Sequence, residues 1–401
     1  MKVLKSLRMT PVALALVMVG AQAQSNDSMF SFSGFGTVGV VGTSKDGAEY
    51  VIPGQMRGAD KDWSGEVDSK LGLQGTAKFN AIFSGTVQVL TKQNGKGNWA
   101  PEIEWAFAKY QATPGLSFRA GRMGAPFFAV SDFRDVGYAN TWLRPPIDVY
   151  GQVTFSHFDG ADVNWTTTIA GKTVTLQALG GASESHVRNI KLKLKDQVGF
   201  NATAELADGL TVRVGHMMGK VTVEQPSVNA LVGVLRQTPF AAVGNELIAD
   251  GKDATFSGIG LNYDEGQWIA AVEYTKRKTD SFVPDTTGWY ATLGYRVGKF
   301  TPYGTVSQLK TDSSNVNNTI PGTVVVAGLP LRALVDRVTT TQSTPQKTVG
   351  LGVRWDAWRN VAVKAQYDSI KTTGAGQFTQ VQPGFNNERV GVYSVAVDFV
   401  F

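Results

Sequence analysis

Tyr393-Ser394-Val395-Ala396-Val397-Asp398-Phe399-Val400-Phe401 closes the chain, and its reading decides the fold. Tyr393, Val395, Val397, Phe399 and Phe401 are aromatic or aliphatic, while Ser394, Ala396 and Asp398 are small or polar. Successive side chains of a strand point to opposite faces, so this stretch is a strand with one apolar and one polar face. The same alternation recurs upstream. Val67, Leu71, Leu73, Ala77 and Phe79 oppose Asp68, Lys70, Gln74 and Lys78, and Ile103, Trp105 and Phe107 oppose Glu102 and Glu104. Val163, Trp165, Thr167 and Ile169 oppose Asp162, Asn164, Thr166 and Thr168. Trp268, Val272 and Tyr274 oppose Ala271, Glu273 and Thr275, and Val361, Val363, Ala365 and Tyr367 oppose Lys364, Gln366 and Asp368.

Soluble sandwiches also alternate. Length and connections separate the two cases. These segments run about ten or more residues, the length a tilted strand needs to cross a bilayer, against roughly five or six in soluble sheets. Short turns fall at 80–82, 113–115, 171–172, 208–209, 264–266, 298–299 and 356–360. Longer connections lie near 43–65, 93–100, 125–160, 184–195, 223–252, 279–287, 312–345 and 373–388. Seven short and eight long connections predict sixteen strands. The expected fold is all-β: a closed transmembrane antiparallel β-barrel of about sixteen strands, with short periplasmic turns and long extracellular loops. Closure is required because an open sheet edge is unsatisfied in lipid. Phe79, Phe83, Tyr263, Trp268, Phe300, Trp355 and Trp358 flank the short turns as an aromatic girdle would.

The other end of the chain explains how such a barrel reaches its membrane. Lys2, Lys5 and Arg8 precede a short apolar run from Pro11 to Gly20, and Ala21 and Ala23 give a small-x-small pattern. Residues 1–23 read as a cleaved export signal and 24–401 as the barrel. The run is shorter than the roughly 20 residues of a spanning helix. Removing the three basic residues takes the formal net charge from +5 to +2. Only 18% of residues are charged, which is low for a soluble chain. No basic cluster with interleaved aromatics points to nucleic acid; Lys191, Lys193 and Lys195 read as a solvated loop rim. With no cysteine, thiolate chemistry and disulfides are excluded.

Two motifs carry little. Gly34-Phe35-Gly36-Thr37-Val38-Gly39 matches a dinucleotide fingerprint in letters, but lies within a strand and precedes no helix. His157, His186 and His216 have no metal-ligand spacing, and the adjoining Ser156-His157 is weak ground for a hydrolase. No cofactor is expected.

The stretch 123–160 is the functional candidate. It carries Asp132, Arg134, Asp135, Arg144, Asp148 and Asp159 with Phe127, Phe128, Tyr138 and Trp142, stiffened by Pro126, Pro145 and Pro146. It is either a constriction folded into the barrel or a lid packed outward. In the first case its carboxylates face basic wall residues across water. Strand parity supplies that wall as Lys70, Arg119, Arg213, Arg354 and Lys364, with Asp68, Glu104, Glu205 and Glu273 on the same face. Removing the loop acids then favours anions, and removing Arg354 and Lys364 favours cations. Parity also puts Trp105 and Val363 toward lipid, and Lys364 toward water at little cost to stability if replaced.

These residues together resemble the general porins of Gram-negative outer membranes, the β-proteobacterial porins in particular. Phe401, with Tyr393, Val395, Val397 and Phe399, looks like the signal read by the barrel-assembly machinery. Phe32-Ser33-Gly34-Phe35-Gly36 is similar to the first porin strand, and Gly121-Arg122 ends a strand before the long loop as in that group. The stretch 123–160 occupies the place of the family's third loop, though Val136-Gly137-Tyr138 and Arg144-Pro145-Pro146 depart from its usual motif. The resemblance implies passive diffusion of ions and small polar solutes, contact with outer-membrane lipid and lipopolysaccharide, and a homotrimer. A substrate-selective channel, or a barrel-based hydrolase or adhesin, are the alternatives.

Overall fold

In a computed structural model of the protein, which describes residues 28–312 and 315–401, the alternating segments pair edge to edge into one closed antiparallel barrel. The segment 1–23 lies outside the described residues. The strands are β1 (Phe30–Thr43), β2 (Lys70–Lys78), β3 (Phe83–Lys92), β4 (Glu102–Thr113), β5 (Leu116–Gly124), β6 (His157–Ile169), β7 (Lys172–Val187) and β8 (Ile190–Ala207). They continue as β9 (Leu210–Glu224), β10 (Lys252–Glu265), β11 (Trp268–Thr279), β12 (Thr286–Tyr295) and β13 (Phe300–Thr311). A small hairpin of β14 (Val325–Val326) and β15 (Leu329–Pro330) interrupts the wall before β16 (Gln346–Trp358), β17 (Val361–Thr372) and β18 (Arg389–Val400). Leaving out that hairpin, sixteen strands form the wall, and β1 pairs with both β2 and β18. The outward face is apolar, as the exposed Val38, Leu73, Trp165, Phe200, Val272 and Val395 show.

Closure explains the glycine motif of β1. A Cβ at Gly34 would lie 2.2 Å from Phe401 Cζ, and one at Gly36 would lie 2.4 Å from Phe399 Cζ. The two C-terminal rings are therefore seated on bare backbone, stacked 6.3 Å apart. Phe401 and Gly34 also exchange backbone hydrogen bonds of 2.8 and 3.0 Å. The girdle is visible beside them: Phe300 stacks on Trp355 at 5.9 Å, and Trp268 meets Tyr295 at 4.7 Å.

Two expectations need correction. The long connection near 184–195 is a two-residue turn at 188–189, because β7 and β8 run on past the others as a paired ribbon. Leu192 and Leu194 then face inward and Lys191, Lys193 and Lys195 outward, so the lysines lie on strand β8 and not on a loop rim. In β4, Gln88 pairs with Trp105 and Val89 with Ile103, which leaves Glu104 as an extra residue. This bulge reverses the parity beyond it. Trp105 and Phe107 face the interior, where Arg119 lies 5.2 Å over the Phe107 ring, and only Ile103 of the three faces lipid.

Several connections build structure of their own. Residues 225–251 carry α2 (Pro226–Leu235) and α3 (Ala241–Glu246), which pack with α4 (Leu331–Gln342) through Leu235, Leu247, Leu331 and Val335. Tyr50 from 44–69 packs with Phe378 and Phe385 from 373–388. The longest uninterrupted excursion that enters the barrel is 125–156, which holds 3₁₀ turns at Ser131–Phe133 and Gly137–Ala139 and the one-turn helix α1 (Ile147–Tyr150).

Candidate functional site: the inward loop and the cavity beside it

The loop 125–156 folds into the barrel and is held by bonds to strands all around it. Its first limb meets the β9–β11 wall. Arg213 donates to the Pro126 carbonyl at 2.6 Å, Phe127 and Phe128 pack edge-on against Phe256, and the Ala129 amide donates to Glu273 at 2.8 Å. Tyr150, on the returning limb, donates to the same Glu273 carboxylate at 3.0 Å, tying the two limbs together.

The tip of the loop reaches the opposite wall. Lys364 Nζ donates to the carbonyls of Gly137, Asn140 and Trp142 at 2.7, 2.7 and 2.8 Å. Its charge is balanced by Asp398 at 2.9 Å, both side chains being fully buried. Thr37 completes the Asp398 shell with a donor at 2.6 Å. Arg354 donates to the Tyr138 and Asn140 carbonyls at 2.7 and 3.0 Å and stacks 4.9 Å over the Tyr138 ring. Gly137 is where backbone meets wall: a Cβ there would lie 2.1 Å from Asp398 Oδ1.

The return path is equally committed. Trp142 donates its indole N–H to Thr292 at 2.8 Å. Arg144 is buried against Asp68 (2.9 and 2.6 Å) and Asp368 (3.4 Å). Asp148, fully buried, accepts from Ser307 and Gln346 at 2.6 Å each. Burial pushes its carboxyl above the ordinary range, against the pull of those two donors.

What remains open is a cavity of about 510 Å³ between the loop and the β2–β7 wall. Glu104, Arg134, Asp135 and Ser156 line both this cavity and a small one beyond it, and this shared border is called the neck below. Asp135 sits there with Lys92 at 2.9 Å, Lys70 at 3.6 Å and Arg134 at 3.8 Å. Burial pushes the Asp135 carboxyl up, but the charges of Lys92, Lys70 and Arg134 outweigh it and hold it well below the usual carboxylate range.

The structure thus divides the residues singled out in the sequence. Lys70, Arg134 and Asp135 meet at the neck. Asp132 is exposed in the small cavity, and Arg119 is paired with Asp162 on the adjoining wall. Arg144, Asp148, Arg354 and Lys364 do not face each other across water, as the sequence suggested. They anchor the loop because their charges and donors are taken up by buried partners. Arg213 holds Pro126 in the same way. Strand parity had placed Glu104 on the inner wall, and Lys92 is the charged group beside Asp135 that the sequence did not single out. Lys92 ends β3, where its polar parity was the one available signal.

Ser156, His157 and Glu104 converge at the neck without forming a relay. Ser156 Oγ lies 3.0 Å from His157 Nδ1, and that same nitrogen lies 3.0 Å from Glu104 Oε2. A nucleophile–base–acid triad uses the two ring nitrogens separately.

A sixteen-stranded membrane barrel with a loop folded across its lumen and a charged cavity beside it is an outer-membrane channel. The family model for Gram-negative porins matches residues 12–397, and the chain belongs to that family. No curated protein matches the sequence. Among solved structures, the fold is similar to OmpF of Salmonella typhi in complex with daunomycin, at TM-score 0.53 and 14% identity over 93% of this chain and 97% of that one. It is also similar to the outer-membrane channel DcaP of Acinetobacter baumannii, at TM-score 0.52 and 10% identity over 94% and 99%. An anion-selective porin of Comamonas acidovorans aligns at TM-score 0.52 and 12% identity over 93% and 99%.

Proposed function

We propose that the porin passes ions and small polar solutes by passive diffusion along the β2–β7 side of the lumen, through the neck at Asp135, and not through the barrel centre. The observation that carries this reading is the docking of loop 125–156 on the opposite walls, which leaves a large polar cavity on this side. Its lining mixes Lys70, Lys92, Arg122 and Arg134 with Glu102, Glu104, Asp135 and Asp159. With Lys96, Arg144, Asp68 and Glu184 also in the lining, six bases against six acids predict weak ion preference in the intact channel. No bond chemistry is required of any residue. Residues 1–23 act as the export signal, and the C-terminal strand from Tyr393 to Phe401 is the element presented to the assembly machinery. Assembly as a homotrimer and contact with lipopolysaccharide rest on the family membership.

The neck makes a specific prediction. Asp135→Asn leaves Lys70, Lys92 and Arg134 without their shared counter-charge, in a place where little water screens them. The reversal potential in a low-salt gradient should move toward anions, and Lys92→Gln should move it toward cations. Identical reversal potentials for the wild type and Asp135→Asn would show that ions pass elsewhere.

A further inference from the structure

A second cavity, of about 270 Å³, lies on the other side of the returning limb of the loop, against the extracellular halves of β8–β11. Gly151, Val153 and Thr154 border both cavities, so this limb is the partition between them. The lumen of a large membrane barrel is normally polar. Here the inward positions of three neighbouring strands are apolar: Leu192 and Leu194 on β8, Met217 and Val221 on β9, Phe256 on β10. Phe155 of the loop completes the lining. The outward positions at the same level are charged, with Lys191 paired to Glu184 at 2.8 Å and Lys193 paired to Glu224. Polarity is therefore inverted above the lipid band, and lipid contact does not account for the apolar interior.

One cation stands in this apolar wall. Arg277 of β11 donates to the carbonyls of Gln152 (2.6 Å) and Pro284 (2.9 Å), both neutral, and its buried Nε has no partner. No carboxylate of the described residues lies within 4.0 Å of it. Asp285, the acid whose charge reaches it, accepts the Thr279 amide at 2.9 Å. A guanidinium held by carbonyls alone lacks the charged, bidentate partner that it binds most strongly.

We propose that this cavity binds single-ring aromatic carboxylates, with the ring against the Leu192–Phe256 wall and the carboxylate on Arg277. A cation is repelled, an inorganic anion leaves the apolar wall uncovered, and a neutral ring leaves Arg277 unpaired. The volume sits just below the roughly 300–1,000 Å³ of pockets for drug-sized ligands, which limits the guest to about one ring with a short side chain. The inference rests on the channel reading, since the guest arrives by the same lumen.

Isothermal titration calorimetry of the full-length, folded porin with phenylacetate, acetate and benzyl alcohol tests it, since the site lies beside the ion path and not in it. Phenylacetate should bind at least about tenfold more tightly than either control, because it alone makes both contacts. Arg277→Gln should raise its dissociation constant about tenfold or more, Arg277→Lys should raise it less, and Val221→Asp should abolish binding. Equal affinity for phenylacetate and acetate, or for phenylacetate and benzyl alcohol, overturns the proposal on the wild type alone, whatever the variants do. No binding to a porin that conducts in a planar bilayer overturns the site and leaves the channel reading standing. Absence of any conductance overturns the channel reading on which the site rests.

Discussion

Lys364 shows how far a residue's role can depart from its strand parity. The alternation places it inward, which is where it lies, but among three loop carbonyls and Asp398 instead of water. Removing one member of a buried ion pair costs roughly 3–5 kcal/mol, because the other charge is left uncompensated. Val363 faces outward beside Val397 and Trp355 at the girdle, where a lysine costs only about 0–1 kcal/mol. Lys364→Met should therefore lower the unfolding midpoint in denaturant more than Val363→Lys, the reverse of what parity alone suggests. Adding Asp398→Asn should recover much of the loss. The two buried or part-buried loop acids should also differ. The Asp148 carboxyl is pushed up by burial, so its contribution is present below the ordinary carboxylate range and is lost as pH rises through the raised value. Asn at 148 can still accept from Gln346 and donate to the rotatable Ser307 hydroxyl. Asp148→Asn should then hold stability at neutral pH to within about 1 kcal/mol, or raise it, and leave the reversal potential unmoved. A reversal-potential shift as large as that of Asp135→Asn would place Asp148 in the ion path. Asp135 runs the other way: its contribution is present above the ordinary range and is lost only as pH falls through the depressed value.

Among the elements, strands were legible and their exceptions were not. Alternation in six segments, with the count of short and long connections, predicted the sixteen wall strands, because an apolar outward face is obligatory in lipid. It misplaced Trp105 because a bulge adds one residue and flips everything beyond it, and neither Glu104 nor Trp105 signals this locally. It read 184–195 as a loop because a lysine at every second position looks solvated, as it is on a strand that stands above the membrane. The last strand is the clearest case of sequence and packing agreeing. Gly34 and Gly36 leave room for Phe401 and Phe399, so the ends of the chain fit each other. Gly34→Val should overpack this seam and cost about 1–3 kcal/mol of barrel stability. Deleting Phe401 should lower the yield of folded, heat-modifiable protein in the outer membrane and leave unassembled chain open to periplasmic proteolysis. Normal yield and mobility for the truncated chain would remove the terminal ring from assembly.

For the whole molecule, the barrel was readable because each strand obeys a local rule, and the passage was not because it is made by distant partners. Arg144 finds Asp68 across 76 residues, and Lys364 finds Gly137 across 227. Nothing in the composition of 125–156 tells a charge that anchors from a charge that faces water; only the wall it meets does so. The loop's aromatic and proline content rightly marked it as packed, and its docking decides where the open space is left. The absence of cysteine in this chain gives a clean background for locating that space directly. Lys92, one-third exposed on its side chain, borders the proposed passage, while Thr292 is buried behind the loop under Trp142. Single-channel current would be recorded from Lys92→Cys and Thr292→Cys before and after a charged, water-soluble thiol reagent. A passage on the β2–β7 side gives a stepwise fall in current for Lys92→Cys and no change for Thr292→Cys. Equal modification at both positions, or modification at Thr292→Cys alone, would contradict a passage confined to the β2–β7 side.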